Sequence, residues 1–219
     1  MRQAAILVEG QTEEAFVNRV LGPHLATLGV APTPVLLETS RSPAGVKRGG
    51  GASKWGKIDR DLRGLLAGSH WLFVTTMLDY FRLPPDTPGY ADRPGPGRDA
   101  VLHIQAAIAA SFPNARLLPY LSLHEFEALL FANPSALGEH SGQRSLTQDL
   151  ELIVAKCGEP EAIDDGPATA PSKRIAEAWP RYSKVTDSVA VLSRVGLPTL
   201  RERCPHFAAW VSEMEQRIP

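Results

Sequence analysis

Three apolar runs of this sequence end in acid. Glu9 follows "AAILV", Asp79 follows "WLFVTTML", and Glu125 and Glu127 follow "ARLLPYLSLH". A single acid in such a place turns the chain or caps a helix. Acids after successive strand-like runs gather on one rim of a parallel sheet, where reactive groups collect in open α/β folds. Carboxylates brought together repel unless protons or cations stand between them, and a hard divalent ion with oxygen ligands, Mg2+ or Mn2+, is the ordinary remedy. Such an ion activates water and offsets the charge that develops on a phosphodiester under attack. Paired carboxylates acting as acid and base on a sugar are the weaker alternative, because that chemistry needs no strand-end placement.

Neighbouring residues carry further expectations, each with a plainer reading beside it. Glu13 lies in the opening turn of a helix, where the helix dipole favours an acid whatever else it does. His124 could ligate metal or position water, or be a buried histidine held by hydrogen bonds. Lys173 and Arg174 follow Ser172 in "APSKRI" and would bring positive charge to a phosphate at a helix start, or else form an exposed basic pair. Other motifs are incomplete. "GASKWGK" has Walker spacing, yet Ile58 follows where Ser or Thr would hold magnesium, and no strand leads into it. "HEFEA" lacks the second histidine four residues on that zinc binding along a helix requires, and Ser42 and Ser122 lack a G-x-S-x-G elbow.

The elements that position these groups follow from apolar spacing. "AAILV" predicts a first strand, and Phe16, Val20, Leu21, Leu25 and Leu28 recur at helical spacing up to Gly29. "PVLLET" (34–39) predicts a second strand, "WGKIDRDLRGLLAG" a helix with Ile58, Leu62, Leu65 and Leu66 inward, and "HWLFVTTMLD" (70–79) a third strand too apolar for a solvated face. A Pro/Gly-rich loop spans 83–97, a helix 99–112, and a fourth strand 115–123, in which Pro119 predicts an edge or bulge. "HEFEALLFAN" reads as a helix start. This alternation predicts an α/β fold, Rossmann-like, with a mostly parallel sheet covered by helices on both faces over residues 1–133. Residues 134–219 predict a helical C-terminal portion packed on that core, its last buried face formed by Phe207, Trp210, Val211 and Met214.

Composition narrows the function classes. A chain of 219 residues with 43% hydrophobic content buries a real core, and no window approaches the length of a membrane span. The N-terminus lacks signal-peptide character, so a cytoplasmic protein is expected, with Cys157 and Cys204 reduced and serving as packing residues. A net charge of −1 argues against indiscriminate coating of nucleic acid. Charge is uneven, however: Arg41, Lys47, Arg48, Lys54, Lys57, Arg60 and Arg63 face only Asp59 and Asp61, with Trp55 and several glycines between them. A local contact with a polyanion and a solvated loop entering an amphipathic helix both fit that pattern.

"ILVEGQTEEAFV" resembles the first motif of the Toprim domain of topoisomerases, primases and the overcoming-lysogenization-defect nucleases, an acid-glycine turn after the first strand, and "MLDYF" is similar to that family's later acidic strand. More narrowly, "LPYLSLHEFEALLFANP", "TTMLDYFRLP", "PSKRI" and "CPHFAAWV" together resemble a bacterial, Toprim-like family catalogued as domain of unknown function 4276, over nearly the whole chain. The resemblance implies a Toprim-like fold and a metal-dependent nuclease, working beside a partner ATPase in mobile-element or phage-defence loci. It gives Glu9 the place of the Toprim glutamate and Asp79 that of the first acid of its DxD motif. Phe81 stands where the second acid belongs, and Glu125, then Glu127 and Glu13, are the candidate substitutes. On this reading Glu9, Asp79 and Glu125 hold Mg2+ or Mn2+, Lys173 supplies a cation to the transition state, and Lys47, Arg48, Lys54 and Lys57 steer a DNA or RNA strand, in a chain that can form a homodimer. Two rivals stand beside it: a non-catalytic docking subunit of an ATPase complex, and an α/β enzyme acting on a small phosphorylated metabolite.

Overall fold

The computed structural model describes residues 1–37, 54–163, 166 and 168–219. β1 (Arg2–Val8) is the centre of the fold, and Ala4 through Val8 are all fully buried. Burial on both faces explains why its sequence is a continuous apolar run and not an alternating one. Ala4, Ile6 and Val8 join one core, whereas Ala5 and Leu7 join the other. β2 (Val30–Leu36) pairs with β1 on one side and β3 (Trp71–Asp79) on the other, both parallel. β4 (Leu117–Leu118) and β5 (Leu121–Ser122) both pair with β3, also in parallel, so the order is β2-β1-β3-β4. The chain moves to one side of β1 and then crosses to the other. The topological switch point therefore lies between the carboxyl ends of β1 and β3, the place where open α/β sheets bind their ligands.

Helices cover both faces, as an α/β, Rossmann-like fold requires. On one face α1 (Gln11–Phe16) runs through a π-helical turn at Val17–Leu21 into α2 (Gly22–Thr27). The opposite face is covered by α3 (Trp55–Ala67) and α4 (Arg98–Ser111), through Ile58, Leu62, Val101, Ile104 and Ile108. Further along come α5 (Pro134–Ser141), α6 (Arg144–Cys157), α7 (Pro171–Ala178), α8 (Lys184–Arg203) and α9 (Pro205–Gln216). α8 is broken at Gly196, where φ is +78°. Phe207, Trp210, Val211 and Met214 of α9 join the core of the α1 face. Among the described residues no helix is long and apolar enough to cross a membrane.

Several boundaries differ from the sequence reading. β2 begins at Val30, not at Pro34, because an edge strand tolerates Pro32 and Pro34. Residues 126–132 form a 3-10 helix, not an α-helix, and all seven of its residues are buried, so no polar face exists to set an α period. Leu28 lies past the helix end and is exposed, while Trp55 is partly buried against the α3–α4 core.

The fourth strand is interrupted at Pro119, which has no N–H to give a ladder, yet the register with β3 is the same on both sides of the gap. Two threonines of β3 bridge it. Thr76 Oγ1 donates to Tyr120 O (2.6 Å) and accepts from Tyr120 N (2.8 Å). Thr75 Oγ1 donates to Leu118 O (2.5 Å) and accepts from Trp210 Nε1 (2.8 Å), tying α9 to the sheet. Thr75→Val keeps the shape but leaves the indole N–H without its acceptor and takes one donor from the Leu118 carbonyl, so it should cost about 1–3 kcal/mol, read as a lower urea midpoint with unchanged slope.

Candidate functional site

Glu9 is the residue after β1 and Asp79 the last of β3, adjacent parallel strands across the switch point. Their contact is direct: the Asp79 N–H donates to Glu9 Oε1 at 3.1 Å. Asp79 turns its own Oδ1 to the Phe126 N–H (2.8 Å), which fastens the 3-10 segment to the sheet rim. These backbone donors engage one oxygen of each carboxylate. Gly10 begins α1 in an extended conformation, and a Cβ there would stand 3.3 Å from Glu13 Oε2, so the carboxylate would have to give way slightly. Glu13, third in the helix, turns its carboxylate back toward the helix start, where its own amide and that of Gly10 oppose the rise of its pKa.

The segment after β5 supplies the rest of the cluster. Glu125 is buried, and its Oε2 accepts from the Ser172 N–H at the start of α7 (3.0 Å). Glu127, also buried, pairs with Lys184 Nζ at 2.5 Å. Lys184 opens α8, whose first turn is tied by Asp187 Oδ2 accepting from the Ser183 N–H (2.7 Å). His124 is buried, and its carbonyl accepts the Phe81 N–H at 3.2 Å.

These groups share one electrostatic field. Asp79 is held well above the ordinary carboxylate range, first by burial and then by the charges of Glu9, Glu127, Glu13 and Glu125. Glu9 is pushed up to about 7, chiefly by burial, with the Asp79 amide opposing and Glu13 adding to the rise. Glu13 is raised by burial and by Glu127. At Lys184 burial pulls the ammonium down, but Glu127, Glu125 and Asp79 outweigh it and the pKa rises. Among the described residues the cluster holds more negative charge than Lys184 and the nearby Arg82 offset, so it carries protons at neutral pH in the absence of another cation. It is not a finished cage: among the described residues no three His, Cys, Asp or Glu side chains stand close enough to hold an ion.

The structure places the remaining sequence candidates as follows. Lys173 is exposed: Ser172 turns its amide to Glu125, and the next residue points roughly 100° away around α7. The ammonium that reaches the acids is that of Lys184, which no spacing singled out. Its only signal is a place at a helix start after Ser183. Lys47 and Arg48 lie outside the described residues. Lys54 is exposed and Lys57 partly so, at the beginning of α3, where the Trp55 N–H donates to Asp86 Oδ1 (2.9 Å).

An open parallel α/β sheet whose switch point carries half-buried and buried acids at the ends of β1 and β3 and in the segment after β5 defines a Rossmann-like protein with an acidic site at the strand ends. The chain belongs to the family described as domain of unknown function (DUF4276), whose model matches residues 8–215. That match takes in every acid of the cluster. Comparison with curated proteins and with solved structures finds no match.

Proposed function

We propose that this chain is a divalent-cation-dependent phosphodiesterase of the Toprim-like kind, a nuclease that works in the cytoplasm beside a partner ATPase in a defence or mobile-element system. The observation that carries the reading is the contact between Glu9 and Asp79 across the switch point, inside a field that burial and three further carboxylates make too negative to stay ionised alone. The donor set fits magnesium or manganese. All its groups are oxygen ligands, and such ions are normally held by one or two carboxylates with water and substrate phosphates, so a complete protein cage is not required. Glu9 and Asp79 would hold the ion, which supplies an activated water and offsets phosphoryl charge. Glu125 and Glu127 fix the lower rim through Ser172 and Lys184. Lys184, paired with Glu127 and with its side chain 46% exposed, would be the cation to meet a phosphate oxygen.

The docking-subunit reading is favoured by one feature: Phe81, exposed beside Asp79, occupies the place of a second acid. Thermal melts separate the two. Millimolar manganese is expected to raise the Tm of the wild-type protein, because an ion bound only by the folded state adds RT ln(1 + [L]/Kd), about 2.7 kcal/mol at a hundredfold excess over Kd. Glu9→Gln should abolish the rise. A wild-type melt indifferent to manganese would leave the docking subunit as the better account.

A further inference from the structure

We propose that the turn after β3 is a stacking platform for an unpaired nucleobase, so that the site takes single-stranded nucleic acid and not duplex. The inference rests on the nuclease reading and names its substrate class. The turn Tyr80–Arg82 is 3-10, which sets residues three apart on one side. Tyr80 and Leu83 accordingly face inward at 7% and 6% exposure, and Phe81 stands out at 47% with Arg82 beside it. The turn is held from both sides: Arg93 Nε donates to the Tyr80 hydroxyl (2.9 Å), and the Phe81 N–H donates to His124 O. The outward ring is thus presented on a fixed backbone, next to the acid that ends β3.

Arg82 follows that ring in the chain and is exposed, and its charge bears on Glu9. Asp86, four residues on, accepts the Trp55 N–H, which ties the start of α3, with exposed Lys54 just before it, to the loop that follows this turn. An exposed aromatic ring next to an exposed cation can hold a strand by stacking and phosphate contact, and only an unpaired base has a free face to offer. A duplex buries that face.

Fluorescence anisotropy with a labelled twelve-residue oligothymidylate and a duplex of equal length, in calcium, tests the proposal. The single strand is expected to bind at least tenfold tighter than the duplex. Phe81→Ala should weaken single-strand binding about fivefold or more, and Phe81→Trp should restore it, because stacking is what is lost. Arg82→Gln should lower the salt slope for the single strand by about 0.7, the value of one phosphate contact. Melting temperatures of these variants should match the wild type, since both side chains are exposed. Equal binding of the two oligonucleotides, unchanged affinity in Phe81→Ala, or no binding by the wild type would each overturn the platform. The manganese melt of Glu9→Gln uses no nucleic acid, so the cation site is judged separately.

Discussion

Glu9→Gln and Asp79→Asn are each expected to reduce manganese-dependent cleavage of a single-stranded oligonucleotide by roughly a thousandfold, the equivalent of the several kcal/mol a bound cation contributes to a phosphoryl transition state. The same Glu9 change should make the metal-free protein more stable at pH 8. Glu9 titrates at about 7 in the folded chain against 4.5 for an ordinary glutamate. The stability linked to its proton is complete below pH 4.5 and is lost as pH rises through 7, at most about 3 kcal/mol. The substituted amide has no proton to lose over that range, and its oxygen still accepts the Asp79 N–H. Melts of the two proteins should therefore cross: without metal the variant is the more stable at pH 8, and with manganese the wild type is. Activity retained within tenfold in Glu9→Gln, or a variant less stable at pH 8 without metal, contradicts the cation site.

The acids of this site were legible because topology places them. A continuous apolar run means a strand buried on both faces, a parallel sheet sends its strand ends to one rim, and the residues after "AAILV" and "WLFVTTML" must then meet. The α3 and α4 faces were equally plain, as Ile58, Leu62, Val101, Ile104 and Ile108 show a clean helical period. What escaped notice is non-local or lacks a period. Residues 126–132 are buried all round, so their 3-10 winding leaves no mark in the pattern. α5 is short and built from small and polar residues such as Ser135, Gly138 and Ser141. Lys184 is one among 23 lysines and arginines, and only the packing of α8 on the segment after β5 brings it to Glu127. Glu13 was visible as an acid in a first turn, but its place in the field of Glu9 and Glu127 was not.

Loss of Glu161 should damage the fold strongly, and nothing in its local sequence announces it. It sits in a 3-10 turn, Pro160–Ala162, and reaches the start of α9, where Pro205 occupies the first helical position and Cys204 offers no capping side chain. Its two oxygens accept the His206 N–H (2.8 Å) and the Phe207 N–H (2.9 Å), satisfying the amides a local cap would serve. His206 in turn holds Leu121 O through Nε2 (2.9 Å) and stacks on Tyr120, so the carboxylate fixes α9 against β5 and hence against the site's lower rim. Glu161→Ala removes both hydrogen bonds and leaves buried amides unpaired, a loss of about 2–5 kcal/mol after the cost of burying the carboxyl group is regained. In a chain of this length that is a Tm lower by roughly 5–15 °C. Burial pushes Glu161 up to about 7 against the pull of the two amides. The wild type accordingly loses proton-linked stability as pH rises from 4.5 to 7, and Glu161→Gln, which keeps one acceptor and no proton, does not. The penalty of Glu161→Gln should thus be larger at pH 5 than at pH 8, measured by urea unfolding at both. A penalty that grows with pH would mean that the ionised carboxylate is the form the folded chain prefers.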